Sequence, residues 1–544
     1  MSAGASKREA SATEKRRTQD VTLPPDAASE ISERAWLIAS VIILMAATAL
    51  RVYALELKPM HHDEGVNGFF LTSLLRQGKY FYDPNNYHGP TLYYLTLPVA
   101  ALFGLTTFAV RFVTVLFGVG IVWLVLSLRR RIGTVGALVA AALVAVSPGC
   151  VYYSRYFIHE IPFVFFTLAI VVAALRFYET GAAYYLLLAS ASAAMLFATK
   201  ETAFISVGTL ALAWLVALAW VKWQEGERGK RRGGDGVVAE SGLAKFGASA
   251  EAQTVVVGAV ALFVAIWVLF YSSLFTNWKG VADSFKAFVV WKQTGMSEFH
   301  GKPLYNYVLW LWQEEAPILI LAAVGSCVAL FERKRNRFAI FAGAWGFGLL
   351  AAYSLISYKT PWLMLSFVVP MCIAAGYAVQ ALGRLGPVGA KGLAPALVLA
   401  GIALAVCTYQ TYVLNFREYD NDAYIYVYSH TRRQLHDMLK EVERAGAVAG
   451  QKEPGITVAA DEYWPLPWYF RDNTHAGYVG KSVAASYDPQ TTLMVIGRKS
   501  DDPEHDTYKK LRPILAANYV EAGFYSLRPG VDLVLFERRD LAGK

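Results

Sequence analysis

Charge is scarce in this chain. Asp, Glu, Lys and Arg make up 17% of its 544 residues, against 55% apolar residues. A soluble domain carries about 25% charged residues, so a globular surface of this size cannot be covered. The low hydrophobicity and high charge of a disordered chain are both missing. Cysteine is nearly absent. Cys150, Cys327, Cys372 and Cys407 are scattered singly in apolar runs, where the thiol acts as a small hydrophobe, and this excludes a disulfide scaffold. The net charge of +9 sits beside apolar segments, so it reads as membrane topology and no nucleic-acid partner is expected.

What is abundant is apolar sequence in runs near the length of about 20 residues that crosses a bilayer. About eleven spans are expected, at 35–54, 107–128, 134–153, 159–178, 183–199, 203–222, 254–275, 316–331, 338–356, 362–382 and 393–413. Lipid requires backbone polar groups to pair within each segment, so all are expected to be helical. The run 91–104 is apolar but short and contains Pro98, and it reads as an interfacial or half-buried piece. Basic clusters at Lys7–Arg17, Arg129–Arg131, Lys222–Arg232 and Arg333–Arg337 then fall together on the cytoplasmic side. The N-terminus is cytoplasmic and the C-terminus outside in this arrangement.

The expected fold is a polytopic α-helical membrane protein with a small C-terminal extracytoplasmic α/β domain. Residues 1–34 read as a disordered cytoplasmic tail, and the first apolar run as a retained signal anchor. Residues 35–414 form the membrane domain, with external loop one at 55–106, a Gly-rich charged cytoplasmic loop at 223–253, and an aromatic external loop at 276–315. From 415 to 544 the hydrophobic runs shorten to strand length, at 456–460, 491–497, 519–527 and 531–537. Segment 429–446 has helical periodicity. No Gly-rich phosphate loop marks a nucleotide site there.

This topology brings the unusual ionisable residues to one face. His61-His62-Asp63-Glu64 lies in external loop one. Arg155 and His159-Glu160, Lys200-Glu201 and Lys359 lie in external turns, and Arg51 and Arg111 near the outer ends of their spans. Charges at such depth are costly and mark candidate sites, although a single charge at a helix end ordinarily snorkels or pairs. Asp63 and Glu64 are candidate catalytic acids, one taking a proton while the other orients it. Arg111, Arg155, Lys200 and Lys359 suit a phosphate, with Glu160 and Glu201 as their partners or co-ligands. His61, His62, His88 and His159 are candidate ligands for a divalent metal. The aromatics of 276–315 suit interfacial anchoring or sugar stacking.

Several motifs together carry a family resemblance. They are HHDEGVNGFF (61–70), YHGPTLYYLTLP (87–98), FGLTTFAVRF (103–112), SRYFIHEIPF (154–163), ATKETAF (198–204), SYKTPWLMLSFVVP (357–370) and WPLPWYFRD (464–472). In this order the chain resembles the GT-C glycosyltransferases, which include protein O-mannosyltransferases and lipid A aminoarabinose transferases. Within them it is similar to a mannosyltransferase-like subgroup associated with lipid-linked glycan flipping. The resemblance implies a polyprenyl-phosphate-sugar donor, an extracytoplasmic active site in the cell membrane, and a glycan, lipid or protein acceptor. It also implies Asp63 as base, with Arg155, Lys200 and Lys359 as phosphate ligands. A flippase, or a non-catalytic partner of one, is the alternative.

Overall fold

The computed structural model describes residues 31–86, 88–229, 246–247, 251–295, 301–332, 336–385, 390–482 and 492–543. Most of the expected tail 1–34, most of the loop 223–253, Tyr87 and part of the loop 276–315 lie outside the described residues. So do the cluster Lys7–Arg17 and parts of the clusters Lys222–Arg232 and Arg333–Arg337.

The membrane domain is built from α1 (Glu33–Val52), α2 (His62–Gln77), α3 (Thr91–Phe103), α4 (Thr107–Leu126), α5 (Thr134–Val146), α6 (Pro148–Ser154), α7 (Glu160–Thr180), α8 (Ala183–Phe197), α9 (Ala203–Gly229), α10 (Ala252–Tyr271), α11 (Lys279–Gly295), α12 (Asn306–Glu314), α13 (Ala316–Phe331), α14 (Arg337–Leu355), α15 (Leu365–Leu385) and α16 (Ala390–Tyr412). Among the described residues, eight helices are long and apolar enough to cross a membrane, and two bent pairs bring the number to ten. The span expected at 183–199 is a 15-residue helix, α8, below crossing length by itself. Large apolar side chains such as Leu212, Trp214, Val257, Val260, Val398 and Ile402 point outward. That is the pattern of a multi-pass protein whose surround is hydrocarbon.

The two bends have local causes. Between α5 and α6 the axis turns by 57° because Pro148 has no N–H to continue the ladder. The Ser147 hydroxyl accepts from the Cys150 N–H and starts a new helix. Between α12 and α13 the turn is 112°, at Glu315. The buried Glu315 carboxylate reaches across to the first bend. There it accepts from the Ser147 hydroxyl at 2.7 Å, the Gly149 N–H at 3.0 Å and the Tyr426 phenol at 3.1 Å. One acid therefore satisfies donors that the broken span leaves open.

Helix α15 is the buried axis of the bundle, and small residues set its spacing. A Cβ on Gly376 would stand 2.2 Å from the Gly136 carbonyl oxygen of α5, and one on Gly325 of α13 would stand 2.0 Å from that of Ala374. Backbones approach this closely only where side chains are missing.

The C-terminal domain holds α17 (Gln434–Val448), β1 (Ile456–Ala459), β2 (Ala476–Tyr478), β3 (Met494–Lys499), α18 (Thr507–Leu515), β4 (Tyr519–Arg528) and β5 (Val531–Arg538). The sheet order is β2-β1-β3-β5-β4. β1 is parallel to β2 and β3, and β5 is antiparallel to β3 and β4. Alternation along the strands makes two cores. Ile456, Val458, Met494 and Ile496 meet Leu435, Met438 and Val442 of α17, while Val495, Val534 and Phe536 meet Leu511 and Leu515 of α18.

This domain sits on α2 and on the start of α4. The tilt is fixed by glycines on one face of α2. A Cβ on Gly65 would be 2.7 Å from the Pro465 Cβ, and one on Gly68 2.4 Å from the Trp468 ring. The Trp468 indole donates to the Thr107 hydroxyl at 3.1 Å, the Tyr469 phenol accepts from the Met60 N–H, and Arg76 pairs with Asp472 at 2.6 Å.

Gly376→Ala is expected to lower the melting temperature of the purified protein in detergent, since the overpacked contact costs about 1–3 kcal/mol. Gly401→Ala, at an open position on α16, is expected not to lower it. Equal melting of the two variants contradicts the close approach.

Candidate functional site

The centre of the site is a buried ion pair. Arg111 of α4 and Glu64 of α2 are fully buried, with Nη2 to Oε2 at 2.7 Å and Nε to Oε1 at 2.8 Å. The remaining guanidinium donors reach the carbonyls of Leu55, Lys58 and Pro59 at 2.9–3.0 Å. Glu64 also accepts from the His61 N–H at 2.9 Å and the Phe157 N–H at 2.7 Å. Every guanidinium donor is used, and the loop between α1 and α2 is clamped to α4 and to the turn after α6. Burial favours the neutral acid, yet Arg111 outweighs it and holds the Glu64 carboxyl below its ordinary pKa.

That clamp presents Asp63. His61 Nδ1 accepts the Asp63 N–H at 3.1 Å, and this assigns the proton to Nε2, which donates to the Tyr428 carbonyl at 3.3 Å. The Asp63 carboxylate stands in the first turn of α2 with its side chain 44% exposed, 3.7 Å from His61. The side chains of Glu64, Glu160 and Glu201 are 0%, 8% and 2% exposed. Asp63 is therefore the accessible acid of the expected set.

The expected cations divide. Arg155 Nη atoms donate to the carbonyls of Leu50, Arg51, Tyr53 and Ala54. The residue thus closes the C-terminal end of α1, and burial with Arg111 and Arg51 nearby lowers its pKa to about 9. Lys359 donates to the carbonyls of Ser354 and Ile356 at the end of α14. Arg111, Arg155 and Lys359 thus donate to protein acceptors. The reason is local, since helix ends leave carbonyls that need donors.

Lys200 is different. It pairs with Glu160 at 2.6 Å, and Glu201 holds His88 Nδ1 at 3.0 Å. Burial alone depresses a lysine, but Glu160 and Glu201 outweigh it and raise Lys200 above its ordinary pKa. His88, Lys200, Glu201, Thr202, Tyr353 and Thr360 line a small pocket of about 50 Å³, closed by Trp291 of α11 and by Trp362. The Thr360 hydroxyl is buried there without a hydrogen-bond partner among the described residues. The segment His88–Pro90 is held against the turn after α8, with the Gly89 N–H on the Thr199 carbonyl and the Thr91 N–H on that of Ala198. His159 Nε2 lies 3.1 Å from the Gly89 carbonyl.

The pocket is linked to the His61 side by aromatic rings. The Trp362 ring lies 5.7 Å from Tyr428, whose carbonyl accepts from His61, and 6.4 Å from Tyr153. Of the expected metal ligands, two lie together, while His61 and His62 are beside other rings, His62 against Trp464 at 6.3 Å. His88 is beside His159 at 4.9 Å, and His61 stacks on His430 at 5.6 Å. Among the described residues no three His, Cys, Asp or Glu side chains converge on one point.

Sequence reading missed three participants. Lys58 is buried with its ammonium 3.5 Å from the Tyr152 ring centre. Burial and the neighbouring Arg111 and Arg155 drive it well below its ordinary pKa. His430 meets the Tyr156 phenol at 2.5 Å. Arg528 of β4 pairs with Glu462 and donates to the Trp464 carbonyl at 3.0 Å. Lys58 lies in external loop one with nothing in its sequence to mark it as buried. The other two lie far downstream of loop one, with no local signal.

The family model described as dolichyl-phosphate-mannose-protein mannosyltransferase matches residues 87–226. No curated protein matches the chain in sequence. Among solved structures, ArnT from Cupriavidus metallidurans bound to undecaprenyl phosphate shares 15% identity over 94% of this chain and 100% of its own, with a TM-score of 0.61. The Archaeoglobus fulgidus oligosaccharyltransferase shares 12% identity over 86% of this chain and 70% of its own, with a TM-score of 0.52. The fold is that of the ArnT structure.

Arg111→Met leaves the Glu64 carboxylate buried and unpaired, an expected cost of about 3–5 kcal/mol. Arg111→Met with Glu64→Leu is expected to recover part of that loss, and the two melting curves check it. A second expectation concerns pH. Burial holds His61, His159 and His430 below their ordinary value and His62 at about 4. Above about pH 6.5 both folded and unfolded imidazoles are neutral. Below it the unfolded chain takes up protons that the fold refuses, so stability falls as pH drops toward the lowered folded values. The melting temperature should decline from about pH 7.5 to about 5, and less steeply in His430→Gln. A flat profile contradicts neutral buried imidazoles.

Proposed function

We propose that the protein is a membrane glycosyltransferase that moves a sugar from a polyprenyl-phosphate donor to an acceptor hydroxyl, with Asp63 as general base. The reading rests above all on Asp63. It is an accessible carboxylate held rigidly by a neighbour, Glu64, that is itself locked away. A base needs this combination of reach and fixed position. The GT-C fold and the matched mannosyltransferase family support the reaction class. The similar ArnT structure, which carries undecaprenyl phosphate, supports a lipid phosphate as the leaving group.

In this mechanism the acceptor O–H gives its proton to Asp63. Its oxygen forms a bond to the anomeric carbon as the bond from that carbon to the phosphate oxygen breaks, which inverts the anomeric centre. Negative charge grows on the departing phosphate. Lys200 and His88 at the small pocket supply donors to it, with Lys200 shifting from Glu160. The lipid tail keeps the donor in the plane of the membrane beside the pocket, which raises its local concentration. Arg111, Arg155 and Lys359 position the loops. The positions of the basic clusters support a cytoplasmic N-terminus; with the short helix α8 counted as an eleventh crossing, this face and the C-terminal domain lie outside the cell membrane. Nucleotide sugars are not available on that side, so a lipid-linked donor meets the need. A divalent metal is not required by these steps.

A second reading, transbilayer movement of a lipid-linked glycan, draws on the two broken spans that meet at Glu315, since discontinuous helices recur in transporters. It predicts movement of a fluorescent lipid-linked sugar in liposomes without transfer.

Purified protein incubated with a radiolabelled polyprenyl-phosphate sugar and a membrane extract as acceptor source should transfer label. Asp63→Asn should lower the rate about 10²- to 10⁴-fold, the usual contribution of a positioned base. Transfer by Asp63→Asn at the wild-type rate rules out the assignment.

A further inference from the structure

A row of aromatic rings leads away from Asp63 along the C-terminal domain. His62, next to Asp63, lies 6.3 Å from the Trp464 ring. Trp464 is 5.8 Å from Tyr463, and Tyr463 is 5.0 Å from Tyr478 on the edge strand β2. Tyr463 and Trp464 are half-buried, and Tyr478 is 36% exposed. The start of the row is fixed by packing, because Trp464 and Pro465 press on the bare backbone of Gly65, two residues from Asp63 in the same helix. Charged groups flank the same end. Arg528 pairs with Glu462 and donates to the Trp464 carbonyl at 3.0 Å, and the Glu462 side chain is 43% exposed.

We infer that this row is the acceptor subsite and that the acceptor is a carbohydrate chain. The inference rests on the transferase reading above and deepens it. The C–H face of a pyranose is apolar and slightly positive, and stacks on the negative face of an aromatic ring. Its hydroxyls need charged or polar partners at the ring edge, and Asp63, Glu462 and Arg528 supply acceptors and donors there. Consecutive rings at these spacings suit several sugar units better than one. Membrane anchoring does not account for the row, since anchoring rings belong to the ends of spans whereas Tyr463, Trp464 and Tyr478 belong to the sheet domain. A terminal sugar over Trp464 presents a hydroxyl beside Asp63.

The test uses the full chain in nanodiscs and neutral trisaccharides of mannose, glucose or N-acetylglucosamine. Contact is read by saturation-transfer NMR and by tryptophan fluorescence. At least one trisaccharide should bind. Trp464→Ala and Tyr478→Ala should each weaken it roughly three- to tenfold, while Trp464→Phe should retain binding. Tyr478 stands at an exposed edge, so its truncation tests the row without threatening the fold. Sugar binding that depends on these rings in a protein without transfer keeps the subsite and removes the transferase reading. Transfer to an acceptor without sugar, or trisaccharide binding unaffected by the two alanine variants, overturns the subsite. So does the absence of any trisaccharide binding, or protection of these rings by a Ser/Thr peptide in place of the sugars.

Discussion

The pairing of Arg111 with Glu64 is the constraint on which the rest of this face depends. A charge pair removed from water is held only where every remaining donor and acceptor finds a partner. Here the partners are three carbonyls of the loop after α1 and the N–H groups of His61 and Phe157. The pair therefore joins the loop, α2, α4 and the turn after α6. Its cost in desolvation is offset by the order it imposes, and that order leaves Asp63 in the solvent-facing position of its helical turn.

Three buried arginines show one physical rule. Arg51 donates to the carbonyls of Ala47, Val144 and Ala145. Arg155 donates to those at the end of α1, and Arg111 to the loop beyond it. In hydrocarbon, the exposed carbonyls at a helix end cannot turn to bulk water. A fork of donors satisfies several at once. This face is thus rigid because its arginines are committed to the backbone, while Asp63 stays exposed and Lys200 pairs with Glu160.

Most of the fold was legible because hydrocarbon imposes length and apolarity on each span, and strands and helices alternate differently. The limits were physical too. Span 134–153 carries no polar interruption at Ser147-Pro148 strong enough to split a run, and the bend depends on Glu315, far along the chain. β2 has three residues, too few for a periodic signal, and α18 places Leu511 and Leu515 on one face but is short, polar and contains Pro513. At the site, the acid pair of loop one stood out as charge in a short turn. Sequence shows that Arg111, Arg155 and Lys359 are positive, but not which carbonyls await them. Trp464 and Arg528 acquire meaning only when the sheet domain rests on Gly65 and Gly68.

The bond from Ser147 to Glu315 joins positions 168 residues apart. During synthesis α5 and α6 are made long before α12 and α13. The acid that seals the early kink therefore reaches it only after the later segment has been made, so the bend between α5 and α6 is completed from the second half of the chain.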